Sequence, residues 1–492
     1  TTQRRSWRYK AENVRDFAWA SSRKYIWDAM GYKQNDPARP FVLAQSLYPN
    51  EAEPIWSRWS TYSVVHTLES YSRLSFPYPY PNAISVNAWE RGGMEYPMIS
   101  FNGYRPTPDE KTGKITYSRG TKYGLIGVII HEIGHIYFPM TVNSDERQWT
   151  WMDEGLNSFL DSVAGYEWDP NMPWTRSVAR DLVSYMVSNQ QEPIMTQSDS
   201  VTNLGSNAYG KPSAAYHLLR DTIIGRERFD FALREYARRW KFKRPTPADF
   251  FRTIEEASGT DLDWFWRGWF YTTDHVDISL DSIYRLQIDT NDPDIDLPRR
   301  RKERAEEPEL VGIDMNRNQK LPIWVLENPG VRDFYDSNDE FTVTPKDRKK
   351  YADFLAGLDP WERQVFERAV KEDANYYVLN FSNKGGLVMP VILGLTFKDG
   401  STQKINIPAE IWRRNAREVA KLLVFPKGKE LVQVMVDPDW ETGDADLENN
   451  HYPRRIIPSR IEAFKDEAAK SRVSRDLMGE AAGAEPADGG KK

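Results

Sequence analysis

The residues with the clearest chemical potential are two histidines four positions apart, in His131-Glu132-Ile133-Gly134-His135. Positions i and i+4 lie on one face of a helix, so both imidazoles can reach the same metal ion. The glutamate beside the first histidine can then reach a water molecule at that ion. Because the residues before His131 are strongly apolar, we predict a helix here. The pattern indicates metal-assisted hydrolysis with Glu132 as the general base.

A third ligand must come from elsewhere, because a catalytic zinc ion usually binds three protein side chains. The chain has no cysteine, so this ligand must be a histidine, an aspartate or a glutamate. Glu154 lies in a second predicted helix, WTWMDEGLNSFLDSV, where a carboxylate among apolar residues is costly without a partner. His131, His135 and Glu154 would then hold the metal. Spacing alone leaves Asp153 open as an alternative ligand.

The composition of the 492-residue chain excludes several other classes of function. Without cysteine there are no disulfides, thiolate nucleophiles or cysteine-bound iron–sulfur clusters. A formal net charge of −6 argues against nucleic-acid binding, which needs a basic surface. No apolar run approaches the ~20 residues that cross a bilayer, so we predict no transmembrane segment.

The motifs as a set resemble those of the gluzincin aminopeptidases, which include aminopeptidase N and its relatives. His-Glu-x-x-His is followed, after eighteen residues, by Glu154 in an Asp-Glu-Gly context. Upstream lies Gly92-Gly93-Met94-Glu95, similar to the family's Gly-x-Met-Glu-Asn strand. Downstream lies Tyr209-Gly210-Lys211, similar to its Tyr-x-Lys turn, and DLDWFWRGWF is similar to the end of its catalytic domain. The resemblance covers about residues 10–275.

This resemblance implies catalytic roles for five residues. One zinc ion would be held by His131, His135 and Glu154, and Glu132 would take a proton from water and later deliver one to the leaving amine. Tyr209 would donate a hydrogen bond to the oxyanion that develops on the scissile carbonyl.

The resemblance also implies a substrate site on the upstream strand. Glu95 would pair with the cationic α-amine of a peptide, which would bring the first peptide bond to the metal. Gly92, Gly93 and Met94 belong to the same site, and the two glycines would let the substrate backbone approach the strand closely. The implied function is a zinc-dependent aminopeptidase that acts on peptides with a free N-terminus.

Three positions depart from the family pattern without removing a ligand, the base or the amine anchor. Tyr96 follows Glu95 where the family usually has asparagine, and Asp153 stands where asparagine precedes the third ligand. The segment 136–140, IYFPM, replaces the usual Gln-Trp-Phe-Gly-Asn. These departures bear on substrate preference and on local hydrogen bonding.

Two alternative functions share the same residues. The first is a gluzincin endopeptidase that uses the zinc site and leaves Glu95 idle. The second is a catalytically silent peptide-binding scaffold, which would keep the fold without turnover. Blocking the substrate N-terminus distinguishes the first alternative, and the zinc content distinguishes the second.

The elements that must position these residues predict an α+β fold. We expect a thermolysin-like zinc peptidase domain with a mixed β part and a helical part over residues 16–280. The charges at 288–320 indicate a charged linker or insertion over 281–343. Thr344-Pro345 and Asp359-Pro360 are helix-start signals for a helical segment over 344–372. Period-two patterns such as YYVLNFSN predict a β-sandwich domain over 373–460, followed by a flexible tail over 461–492.

Residues 1–15 resemble the last strand of the β-rich domain that precedes the catalytic domain in relatives. We expect that domain to be a separate chain or to have been removed by processing. The chain opens with Thr1 rather than methionine, which slightly favours an exported or periplasmic protein.

Overall fold

The first half of the chain contains a mixed five-stranded sheet. The computed structural model describes residues 5–88, 92–108, 113–173, 178–372, 374–455 and 476–479. The sheet has the order β1-β2-β3-β5-β4, in which β2, β3 and β5 are parallel and the outer two strands are antiparallel to their neighbours. Its strands are β1 (Ile26–Lys33), β2 (Phe41–Tyr48), β3 (Asn82–Asn87), β4 (Gly93–Tyr96) and β5 (Ile99–Asn102). The strand that carries Glu95 is therefore at the edge of the sheet.

Two long helices pack together in the core. Helix α1 (Ile55–Leu74) connects β2 to β3, as a parallel pair of strands requires. After the short strands β6 (Thr107–Pro108) and β7 (Ile115–Thr116) comes α2 (Arg119–Gly134), which begins where Ser118 Oγ accepts a hydrogen bond from Thr121 N. Its apolar residues are buried in the core, so His131 and His135 stand at the end of a helix whose position is fixed by packing.

The helical part follows as α3 (Leu156–Trp168), α4 (Val183–Met186), α5 (Lys211–His217), α6 (Arg226–Trp240), α7 (Pro247–Ser258) and α8 (Asp263–Tyr271). In α8 four aromatic side chains are buried, which confirms the prediction of a core segment: Phe265, Trp266, Trp269 and Phe270. Single π-helical turns precede α3 and α5, at Trp151–Gly155 and Gly205–Gly210. These two turns carry Glu154 and Tyr209, and π-helical turns are frequent at functional sites.

The second half contains two further sheets with the orders β12-β9-β8 and β11-β10-β13-β14. The rings of Phe397 and Phe425 contact each other from different sheets, with centroids 5.0 Å apart. The strands are β8 (Ile278–Leu286), β9 (Asn375–Asn383), β10 (Val391–Phe397), β11 (Thr402–Ile407), β12 (Glu418–Phe425), β13 (Leu431–Val436) and β14 (His451–Tyr452). The mixed α/β class agrees with the expected fold, whereas the sandwich arrangement stays a prediction.

The charged region lies between two paired strands. Because β8 pairs with β9, residues 281–286, which we assigned to the linker, belong to a sheet. The region between these strands is largely helical, with α9 (Pro293–Glu306), α10 (Val311–Asn318), α11 (Trp324–Glu327), α12 (Pro345–Gly357) and α13 (Pro360–Glu372). Thr344 caps α12 as predicted, since its hydroxyl accepts a hydrogen bond from Asp347 N.

At the start of the chain the structure differs from the predicted remnant strand, and most of the predicted C-terminal tail lies outside the described residues. Residues 5–15, the described part of the predicted remnant strand, form neither a strand nor a helix. A period-two pattern becomes a strand only when another strand pairs with it, and none does so within the described ranges. Of the predicted tail, only 476–479 is described. In the part of the chain that the structure describes, no helix is long and apolar enough to span a membrane.

Candidate metal centre and active site

Three side-chain atoms from α2 and the following π-helical turn converge on one point. Nε2 of His131 is 3.0 Å from Nε2 of His135, and Oε2 of Glu154 is 3.1 Å and 3.2 Å from these two nitrogens. Ligands about 2.0 Å from a tetrahedral ion lie about 3.3 Å from one another. The triangle therefore has the size of one face of a zinc coordination tetrahedron.

The other nitrogens of the two rings explain why a cation fits this triangle. His131 donates a hydrogen bond from Nδ1 to Asp161 Oδ2 at 2.6 Å, and His135 donates from Nδ1 to the carbonyl of Phe138 at 2.9 Å. With the hydrogens on Nδ1, both Nε2 atoms of the neutral rings present lone pairs. Two lone pairs and a carboxylate oxygen at 3 Å repel each other unless a cation lies between them.

The geometry separates the two acidic residues that the sequence left as alternatives. Asp153 lies on the far side of His135, with Oδ1 3.0 Å from Nδ1, whereas Glu154 faces Nε2 of both rings. An ion bound to both Nε2 atoms would contact Glu154 and not Asp153. The structure therefore favours Glu154 as the third ligand.

Two glycines allow close packing of the elements that carry the site, because each leaves space for a side chain of a neighbouring helix. A Cβ on Gly134 would lie 2.5 Å from Cζ of Tyr71, and a Cβ on Gly155 would lie 2.7 Å from Cβ of Pro212. Both distances are shorter than ordinary van der Waals contact, so neither position accepts a side chain without movement. Asn157 then locks α3 to α2, because its Nδ2 donates to the carbonyl of His131 at 2.8 Å.

The charges around the two imidazoles also favour a cation at this point. Burial and the neighbouring His135 both lower the pKa of His131, but the acceptors Asp161 and Glu154 raise it by more, to about 10. Burial works against ionisation of Glu154, yet the two imidazoles lower its pKa overall. The carboxylates thus stabilise positive charge at this point, which a metal ion would supply with release of the protons.

Glu132 lies beside the triangle and is almost completely buried, with 5% of its surface exposed. Its Oε2 has no hydrogen-bond partner within the described ranges. Burial raises the pKa of Glu132 to about 7, against the lowering effect of the two imidazoles. A buried carboxylate with one free oxygen next to a metal site is suited to exchange a proton with a small molecule bound there.

The upstream strand β4 runs directly past Glu132. A Cβ on Gly93 would lie 2.6 Å from Cδ of Glu132, so the glycine makes room for this carboxylate. Side chains alternate along a strand, which places Glu95 on the same face as Gly93 and Met94 on the other. A carboxylate oxygen of Glu95 lies within 4.8 Å of His135. Gly92 precedes the strand with a φ of 80°, a conformation that favours glycine.

The ring of Tyr209 stacks against the ring of His131, with centroids 6.0 Å apart and planes inclined by 20°. Burial and the neighbouring Glu154 raise the pKa of Tyr209, so its hydroxyl keeps its hydrogen. Lys211 fixes this turn: Nζ is fully buried and donates to Gln191 Oε1 at 2.8 Å and to the carbonyl of Thr272 at 3.1 Å.

Comparisons with known proteins agree with this arrangement. The sequence profile of the peptidase family M1 domain matches residues 59–269, which include β4, the metal triangle and Tyr209. These residues form a peptidase family M1 domain.

The M1 domain is similar in sequence to several curated aminopeptidases. Bovine glutamyl aminopeptidase is 27% identical over 213 residues, covering 40% of this chain and 21% of that protein. Probable aminopeptidase 2 of Sulfurisphaera tokodaii is 23% identical over 217 residues, covering 42% of this chain and 27% of that protein. The matched part thus spans about a fifth to a quarter of the length of these relatives.

Solved structures resemble the chain more loosely. The structure of Legionella pneumophila aminopeptidase A has a TM-score of 0.47 at 12% identity and covers 86% of this chain and 36% of that one. An M1 zinc metallopeptidase from Deinococcus radiodurans has a TM-score of 0.40 at 16% identity and covers 51% of this chain and 52% of that one.

Sequence reasoning missed the groups that orient the side chains of His131 and His135. Asp161 was overlooked, although it lies seven residues after Glu154, and therefore two turns along the same helix face. It is another carboxylate in an apolar helix, which was a usable signal. The contact of Asn157 with His131 had no signal in the sequence, because it depends on how α3 crosses α2.

Proposed function

We propose that the chain is a zinc-dependent aminopeptidase that removes residues from the free N-terminus of peptides. The observation that carries this proposal is the triangle of His131, His135 and Glu154 beside the free carboxylate oxygen of Glu132. Membership of the peptidase M1 family and the names of the curated relatives support it.

Zinc is the metal that suits the donor set best. Two imidazole nitrogens and one carboxylate oxygen, with a fourth position open, are typical of catalytic zinc. When bound, zinc would polarise the scissile carbonyl and make a water molecule more acidic. His131 and His135 would hold it through Nε2 and Glu154 through Oε2, while Asp161 and the Phe138 carbonyl fix the orientation of the rings.

The proton transfers would be carried out by Glu132. Its Oε2, which has no hydrogen-bond partner among the described residues, would take a proton from the attacking water, and the carboxylic acid would then donate that proton to the nitrogen of the leaving amine. The position of the carboxylate is restricted by Gly93 on one side and by α2 on the other. Tyr209, whose hydroxyl stays protonated, would donate a hydrogen bond to the oxyanion on the scissile carbonyl.

Glu95 would make the enzyme an exopeptidase. Its carboxylate lies on the face of β4 that points to the metal triangle, and within the described ranges it has no hydrogen-bond or ion-pair partner. A cationic α-amine would pair with it, and the peptide would extend from there along the strand edge. The first peptide bond is then the one that reaches Glu132.

Gly93→Ala should reduce turnover by about 10²-fold while the zinc content stays unchanged. The added methyl group would push the Glu132 carboxylate out of position, and a displacement of about 1 Å is enough for such a loss. Steady-state kinetics and zinc stoichiometry on the same preparation measure both effects. Gly31→Ala is the matched control, because Gly31 lies in β1 of the same sheet and a Cβ there meets no atom within 4 Å. Normal turnover in Gly93→Ala would contradict the role given to this contact.

The proposed function is tested by digestion of one short peptide in free and N-acetylated forms, followed by mass spectrometry. We expect stepwise loss of single residues from the free form only. Glu95→Gln should reduce this discrimination, because the amide no longer pairs with the ammonium group. Internal cuts in both forms would instead support a gluzincin endopeptidase, and no cleavage by the zinc-loaded chain would support a peptide-binding scaffold. A separate chain that supplies the N-terminal β domain stays a prediction, for native mass spectrometry to test.

A further inference from the structure

The helical region between β8 and β9 presents many large apolar side chains to solvent. In residues 310–335, eleven such side chains are between 48% and 79% exposed, and no residue of this segment is buried. Six of them are more than 60% exposed: Leu310, Val311, Ile323, Trp324, Phe334 and Tyr335. The helices α10 and α11 have only eight and four residues, which is too short for stability in water without packing. Residues 310–335, which we call the exposed segment, therefore need a surface on which to pack.

A second apolar surface lies on the sheet into which this segment is inserted. Two rows of three apolar side chains cross the sheet β12-β9-β8 on one face: Leu422, Val378 and Tyr284 in one row, and Val424, Tyr376 and Leu286 in the other. The side chains from β12 and β8 are 47–58% exposed, and those from β9 are half-buried. An antiparallel sheet normally carries polar side chains on its exposed face. These six residues, which we call the outer sheet face, are therefore suited to contact another apolar surface.

The exposed segment offers more apolar surface than a monomer usually leaves in contact with water. Eleven large side chains that are about half exposed or more present on the order of 1,000 Å². The largest apolar patch of a typical monomer covers ~300–600 Å², whereas a stable interface buries about 800 Å² on each partner. A lipid surface is the less suitable partner, because acidic residues outnumber basic ones between β8 and β9 and anionic headgroups attract basic segments.

We propose that the exposed segment of one copy of the chain packs on the outer sheet face of a second copy. The chain itself carries both apolar surfaces, since the segment is inserted between two strands of the sheet that bears the face. Exchange in both directions about a two-fold axis gives a closed dimer, in which each copy contributes its segment and receives that of its partner. Both apolar surfaces of each copy are then covered. This proposal does not depend on the proposed peptidase function.

Sedimentation equilibrium of the full chain measures the dissociation constant of the dimer. We expect a dimeric wild type at micromolar concentration. Trp324→Asp in the segment and Leu422→Arg on the face should each weaken the dimer at least ~100-fold, because each variant places a charge in both apolar contacts. Trp19→Asp is the matched control and should leave the dimer unchanged. Trp19 is 65% exposed, against 66% for Trp324, and lies outside both surfaces.

A mixture of Trp324→Asp and Leu422→Arg tests the exchange itself. In the mixed dimer, the intact segment of one copy meets the intact face of the other, and the second contact carries charges of opposite sign. We expect dimers in the mixture at concentrations at which each variant alone is monomeric, and this recovery requires that both variants are folded. A monomeric wild type, a dimer insensitive to either substitution, or a mixture that stays monomeric would each overturn the proposal. Cosedimentation of a monomeric wild type with phosphatidylglycerol vesicles would instead assign the segment to a lipid surface.

Discussion

Glu132→Gln should retain zinc and lose about 10²–10⁴-fold or more in kcat. Glutamine has nearly the same shape and still fits beside Gly93, but its amide cannot take a proton from water. The three atoms that would hold the metal come from other residues, so metal binding should not change. Turnover under saturating peptide, with zinc measured in the same sample, gives the result.

The control for this variant is Glu167→Gln. Glu167 pairs with Arg73 and with Ser70 at 2.8 Å, away from the metal triangle. Removing its charge should leave kcat within a factor of about two, because exposed ion pairs contribute little. If Glu132→Gln kept wild-type turnover, another group would have to be the base.

Glu154→Gln should lose zinc under conditions in which the wild type retains it. The variant replaces the anionic oxygen of the triangle with a neutral amide, while both imidazoles remain. We expect a loss of affinity larger than the ~10–100-fold that removal of an outer-shell partner costs. Competition with a chelator of known affinity measures this, and activity should fall in parallel with zinc occupancy.

Asp153→Asn is the matched control for Glu154→Gln, because the two acidic residues are adjacent and spacing alone does not separate them. Since Asp153 lies on the Nδ1 side of His135, its variant should keep zinc. The reverse outcome, with zinc lost from Asp153→Asn and kept in Glu154→Gln, would exchange the roles of these two residues. The geometry of the triangle would then be wrong.

The family could be predicted from local sequence, because its signature lies in short segments. The i, i+4 spacing on an apolar helix brings His131 and His135 together whatever the rest of the fold does. The family resemblance built on that spacing is confirmed by the match to the peptidase M1 domain. The mixed α/β class and the aromatic core of α8 also followed from local patterns, since they depend on periodicity within single elements.

Contacts between distant segments could not be predicted in this way. The proximity of Gly93 and Glu132, the support of His131 by Asp161, and the separation of Asp153 from Glu154 all depend on how β4 and α3 pack against α2. The two π-helical turns were also missed, because one extra residue in a turn leaves the apolar pattern nearly unchanged.

The sequence by itself therefore determined which chemical groups the site contains, namely two imidazoles with a carboxylate beside the first, since residue type and spacing along one helix are local properties. The tertiary structure decided which carboxylate oxygen faces Nε2 of both histidines, which buried carboxylate has an oxygen without a hydrogen-bond partner in the described ranges, and which two carboxylates lie together near β4. The physical reason is that each of these is set by approaches of a few ångströms between elements far apart in the chain. Close packing fixes such approaches, and no local pattern encodes them.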